Sequence, residues 1–183
     1  MTAAARGWAR EILPVCFHDL DSGDWFAGGP EVDTMLRRRF AGDLARLGCR
    51  PAHEFLHGPR IALAAILLFD QIPRNLFRHD TQAYAWDRLA LAICHGGIAR
   101  GWLARWDRFE RQFALMPLMH SENMADQRAS VRLYLRHAPG AASFARAHHR
   151  MIARFGRFPH RNAVLGRRSS EAEKRAIAAG FSW

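Results

Sequence analysis

Lysine is almost missing from this sequence. Lys174 is the only one among 27 Lys and Arg residues, although the formal net charge is +10. A face built to grip nucleic acid by charge usually mixes both cations, and an arginine-only excess reflects a GC-rich coding preference equally well, so nucleic acid is disfavoured as a partner. Cysteine is scarce as well. Cys16, Cys49 and Cys94 lie far apart, odd in number and without a CxxC pair, which excludes a disulfide scaffold and a paired-thiolate zinc site and leaves reduced thiols. Long apolar runs are absent too: the longest, from Ile61 to Phe69, falls short of the roughly 20 residues that cross a bilayer. The first eleven residues lack the apolar centre of a signal peptide. The expectation is a cytoplasmic protein with no membrane partner. No stretch alternates as a strand does, GxSxG, GxxxxGK[ST] and GxGxxG are missing, and no two of His120, Glu122, His148 and His160 have the HxxxH or HExxH spacing that puts metal ligands on one helical face. No cofactor or metal is therefore assigned.

What is present is helical. A chain of 183 residues with 49% hydrophobic content supports one core, and residues 1–183 read as a single all-α domain, with an irregular segment 1–30 packed on it. Turn signals divide that segment, and Trp25 and Phe26 between them are expected to cap the core. From Glu31, Val32, Met35, Leu36 and Phe40 mark an amphipathic helix, with Arg37, Arg38 and Arg39 as its solvated flank. Pro59 opens a helix that is apolar on every side, and Pro73 is expected to end it. Asp80 or Thr81 offers a cap for a helix ending near Gly96-Gly97. A third helix spans Ile98 to Leu115, with Trp102, Trp106, Phe109 and Phe113 as a core stripe, and Pro117 closes it. Ser121 is expected to cap a helix from Glu122 to Arg136, whose inward face carries Met124, Gln127, Val131 and Leu135. After Pro139-Gly140 the stripe Phe144, His148, Met151, Phe155 points inward, opposite Arg146, Arg150 and Arg154. Gly156 terminates that helix, and Ser169 or Ser170 starts a last short one. About seven helices joined by short turns pack as consecutive antiparallel pairs.

Two helix exits echo one another. Phe69-Asp70-Gln71-Ile72-Pro73-Arg74-Asn75 and Phe155-Gly156-Arg157-Phe158-Pro159-His160-Arg161-Asn162 each follow a buried helix with an apolar residue, Pro, then Arg-Asn. Charged groups so close to a core need partners or a ligand. Pairing of Asp70 with Arg74 at the helix end is the structural explanation for the first. For the inward His148, an ordinary core histidine is the corresponding one.

Asp70 through Arg78, His120-Ser121-Glu122, and His148 followed by Phe155 to Asn162 and Leu165-Gly166-Arg167 resemble the motifs of a bacterial family of uncharacterised proteins, domain of unknown function 924. The resemblance runs from about Trp25 to Glu173 and implies a TPR-like right-handed helical stack. It implies no activity. Ile72 stands where that family commonly has Phe, Phe55 where it has Trp, and Ser170 where it has Thr.

Two functions fit these residues. In the first, a soluble module binds an anionic small molecule or peptide through Gln71, Arg74, Asn75, Arg157, His160, Arg161 and Asn162, because the planar guanidinium grips a carboxylate or phosphate at two points. In the second, an enzyme of hydrolase type works on an anionic small molecule in the same pocket. His120 or His148 is then the general base, Glu122 or Asp70 orients it, and arginines stabilise developing charge. The two Pro-Arg-Asn ends are expected to wall one pocket from opposite sides.

Overall fold

The computed structural model describes residues 7–26 and 28–181, and among them it is all-α, with no strand. Ten α-helices are present among the described residues, linked by short 3₁₀ and π turns. They are α1 (Gly7–Pro14), α2 (Ser22–Phe26), α3 (Pro30–Leu47), α4 (Pro59–Ile66), α5 (Ile72–Leu76), α6 (Asp87–Ala99), α7 (Arg108–His120), α8 (Met124–His137), α9 (Ala142–Phe155) and α10 (Glu171–Ala178). The chain divides into two compact units, Met1–Ala114 and Leu115–Trp183. Among the described residues no helix is long and apolar enough to cross a membrane.

In the first unit, the run Ala62–Phe69 is wholly buried, as its unbroken apolar sequence requires. The helix does not stop at Pro73, as expected, but passes through it. A π turn over Leu67–Gln71 carries α4 into α5, with the Ile72 N–H donating to the Leu67 carbonyl five residues back. Pro73 then falls in the first turn of α5, where a missing N–H leaves nothing unmet. Glycine likewise fails to end α6, which runs through Gly96 and Gly97 to Ala99. A Cβ on Gly96 would come within 2.4 Å of Leu56 Cδ1, so this glycine serves close packing.

The expected helix from Ile98 to Leu115 is instead a 3₁₀ turn, Trp102–Arg105, followed by α7, because Gly101 takes a left-handed conformation at φ 69°. α7 continues beyond Pro117 to His120. Its stripe is only half core: Trp106 and Phe113 are buried, whereas Phe109 is 50% exposed. The N-terminal segment is more regular than expected, with α1 burying Trp8, Ile12 and Leu13. Trp25 packs its ring against Phe17, Phe109 and Phe113, and its Nε1–H donates to the Cys16 carbonyl. The side chain of Phe26, expected to cap the core with Trp25, lies outside the described residues. Burial pushes the Cys16 thiol up to about 12, and Cys16 and Cys49 are free thiols.

In the second unit, α8 and α9 are joined by the 3₁₀ turn Pro139–Ala141 and pack on each other. Asn123, not Ser121, caps α8 by accepting from the Ala125 N–H, while the Ser121 hydroxyl donates to Asp126. α8 buries Gln127, Ser130 and Tyr134, and Leu135 is 45% exposed, so its inward face is rotated from the one the apolar residues suggested. Gln127 explains the rotation. Its amide NH₂ donates to the carbonyls of Met119 and Ser121, both at 2.7 Å, tying up carbonyls at the end of α7. α9 buries Ala145, His148, Met151 and Ile152, and Phe144 is exposed rather than inward. Gly156 ends α9 in the left-handed region at φ 69°, as expected for a helix terminator. Ser170 forms a full capping box with Glu173 at the start of α10.

Candidate functional site

The first helix exit lies in the first unit and is closed by its own carboxylates. Asp70 is fully buried at the π turn. Its carboxylate accepts from the Gln71 amide and lies 3.4 Å from Arg74 Nη1, and its backbone carbonyl accepts from that same guanidinium. Arg74 also grips Asp87 at two points, Nη1 to Oδ1 at 3.0 Å and Nη2 to Oδ2 at 3.1 Å, and its guanidinium faces the Tyr84 ring. Asn75 donates to Asp33 at 3.0 Å beside the doubly bonded Arg78. Burial opposes the Asp33 charge, but hydrogen bonds from Arg78 and Asn75 outweigh it and hold that carboxyl below its ordinary range. Gln71, Arg74 and Asn75 are thus each engaged by an acidic side chain.

The second exit lies in the second unit and is organised differently. Phe158 is fully buried after α9 and forms the core with Met151, Ile152 and Ala176. Polar groups gather around its ring. The His148 imidazole meets it edge-on with centroids 5.4 Å apart, His160 lies at 5.7 Å, and the Arg161 guanidinium sits over the ring face at 4.5 Å. The His120 and His148 ring centroids are 6.0 Å apart. Arg161 is only 6% exposed, whereas His120 and His160 are half-buried. Two imidazoles and a guanidinium therefore share one aromatic platform, and His120 joins them through His148.

One carboxylate belongs to this cluster. Glu122 accepts from the Phe158 N–H at 2.8 Å and from Arg167 at 2.8 and 3.0 Å. Burial works against its charge, but Arg167, the Phe158 N–H and Arg161 hold it below the usual carboxylate range. Glu122 is thus fully ionised and already paired. His148 responds to what remains: burial first, then the neighbouring His120, Arg161 and His160, bring its pKa down to about 3. Its Nδ1 lies 2.9 Å from the Phe144 carbonyl, an acceptor, so Nδ1 carries the proton and Nε2 the lone pair.

Arg157 and Asn162 serve the neighbouring α10 instead. Arg157 forms a two-point pair with buried Glu173 at 2.7 and 3.1 Å, and Asn162 Nδ2 donates to Ser169 Oγ at 3.0 Å and Glu173 at 3.3 Å. Arg157 foremost, then the Ser170 N–H, holds the Glu173 carboxyl down at about 2. Of the expected site residues, the second unit therefore brings together His120, Glu122, His148, His160 and Arg161. Asp70, Gln71, Arg74 and Asn75 form a separate cluster in the first unit. Arg167 is the cluster member that sequence reasoning left without a role. Its signal was its place in the Leu165-Gly166-Arg167 motif, and its Nε makes no hydrogen bond to the described residues.

Residues 7–180 match the model of a bacterial protein of unknown function, DUF924. The chain belongs to that family. A solved structure of a protein of unknown function from Agrobacterium tumefaciens is similar over 98% of this chain and 100% of the other, at 30% identity and a TM-score of 0.89. No curated protein matches the chain. The DUF924 match covers both helix exits and every residue of the Phe158 cluster.

Proposed function

We propose that the protein is a helical module, TPR-like in its packing, that binds an anionic small molecule or peptide through the Phe158 cluster. The observation that carries this reading is the clustering of basic groups: Arg161 lies over the Phe158 ring, His148 and His160 lie against that ring, His120 lies against His148, and Arg167 is held on Glu122 beside them. A carboxylate or phosphate would meet their positive potential and relieve the repulsion now borne by His148. The ligand set is narrower than the sequence suggested, because Arg74, Asn75, Arg157 and Asn162 are already matched to acids.

General base catalysis by His148 is the second reading, favoured by the fixed tautomer that leaves Nε2 unprotonated. It ranks second because an imidazole with a pKa of about 3 is a weak base at neutral pH. Bound anion would raise that value, so ligand binding precedes chemistry in either case.

The test is thermal stabilisation by inorganic phosphate, citrate and peptides with free or amidated C-termini, alongside NMR titration of His148. A ligand at 100 times its Kd should add about 2.7 kcal/mol of stability. It should also raise the His148 pKa, and both effects should vanish in Arg161→Gln. A His148 titration that no anion moves would sink the proposal.

A further inference from the structure

A second basic surface lies on the outer sides of α8 and α9, away from the buried face that carries His148. It is a groove of about 810 Å³ lined by Arg128, Arg132 and Arg136 from α8 and Arg146 and Arg150 from α9, with Val131 and Leu135 between them. Residues four apart on a helix lie on one side, so each helix stacks its arginines in a row, although like charges at that spacing work against the helix. Surface arginines commonly find carboxylates; these do not. Among the described residues none of the five guanidiniums makes an ion pair, hydrogen bond or ring contact, and no acidic side chain lines the groove. Leu135, 45% exposed, adds an apolar foothold that a solvated charged face has no need of.

We propose that this groove docks an acidic amphipathic segment of a partner protein, with carboxylates meeting the two arginine rows and an apolar side chain seated on Val131 and Leu135. Charge complementarity selects the sign of the partner, and the aliphatic strip selects its class. Single-stranded nucleic acid would call for a platform of several rings on which successive bases stack, and the lining has no Phe, Tyr or Trp, only the imidazole of His149. α8 and α9 have 14 residues each, and at 1.5 Å per residue they offer about 21 Å, the length of roughly four helical turns of a bound peptide.

The experiment uses the full chain and a fluorescein-labelled peptide of about four helical turns, with Glu in i,i+4 rows flanking a Leu stripe. A scrambled peptide of the same composition and a labelled duplex DNA serve as the other arms, all read by anisotropy at low and physiological salt. The patterned peptide should bind, more weakly at higher salt. Arg132→Glu with Arg150→Glu should reduce its affinity by about tenfold or more, and Leu135→Ser by several-fold. Both arginines are exposed, so circular dichroism melts of the double variant should match the parent, and phosphate should still stabilise it. Absence of peptide binding at low salt overturns the proposal, as does equal binding of the scrambled peptide, tighter binding of the duplex or indifference to the double substitution.

Discussion

The two Pro-Arg-Asn helix exits share a sequence pattern and differ in how their charge is settled. At Asp70–Asn75, Arg74 sits against two carboxylates, Asp70 and Asp87, and Asn75 leans on a third, Asp33. At Phe158–Asn162, Arg161 lies on an aromatic face that His148 and His160 also touch, and Glu122 is paired with Arg167. Pattern alone places a guanidinium next to a core. What it meets there depends on groups that come from elsewhere in the chain.

The largest effect should come from breaking the balanced exit. Asp70→Ala removes a fully buried carboxylate from the π turn, taking an acceptor from the Gln71 amide and leaving Arg74 with Asp87, the residue-70 backbone carbonyl and the Tyr84 ring. Disrupting a buried pair of this kind costs about 3 kcal/mol, and at this chain length that lowers Tm by roughly 6–12 °C. Arg161→Gln should cost less, because the repulsion on His148 that it relieves offsets part of the contacts it gives up, the one with Phe158 among them. Equal losses of Tm in the two variants would erase the contrast.

Acid should expose the unbalanced exit next. The folded pKa of His148 is depressed to about 3 from 6.5, so below pH 6.5 the unfolded chain binds a proton that the folded chain refuses. Stability is fully present above 6.5 and falls with pH toward 3. Glu173, depressed to about 2 from 4.5, adds the same sign of effect only below about 4.5. The interval from 6.5 to 4.5 therefore lies above the Glu173 contribution, and His148 should forfeit about 2 kcal/mol across it. Denaturant melts of parent and His148→Gln across that interval check this, and the variant should show the flatter profile.

The fold was legible because it rests on local signals: Pro59 at a helix start, Gly156 at a helix end, Ser170 with Glu173 as a capping box, and the apolar run Ala62–Phe69. Boundaries failed where long-range packing overrode the local residue. Pro73 was absorbed by a π turn, Gly96 was kept for Leu56, and Gln127 turned α8 by reaching the end of α7. For the candidate site, His148, Glu122 and Arg161 could be singled out as polar groups beside apolar ones. Their partners could not, because Asp87 lies 13 residues from Arg74, Glu173 16 from Arg157 and Arg167 45 from Glu122, and no spacing rule reaches that far.

A smaller change sharpens the comparison from the acidic side. Glu122→Gln removes the Glu122 charge from the Phe158 cluster while preserving its shape. Weakening the hydrogen bonds from Arg167 and the Phe158 N–H should cost about 1–2 kcal/mol. If the cluster is an anion site, the same variant should be stabilised more by phosphate than the parent, because the competing negative charge has gone. A variant that loses stability without gaining phosphate response would place Glu122 as a fold element alone.

The smallest effect should be that of Ser170→Ala. The Ser170 hydroxyl accepts from the Glu173 N–H, and the Glu173 carboxylate returns a bond to the Ser170 N–H at 2.7 Å. Removing the hydroxyl deletes one half of the capping box at about 1 kcal/mol, or roughly 2–4 °C in Tm. Glu173 keeps Arg157 and Asn162, so its carboxyl should stay below its ordinary range. Arg157 and Asn162 bond to Glu173 of α10, and Ala176 keeps α10 packed on Phe158 when the cap is weakened. Phosphate stabilisation and the His148 titration should therefore match those of the parent. A shift in either would mean that α10 helps to hold the ligand set, and that the second exit is one connected network rather than a cap beside a site.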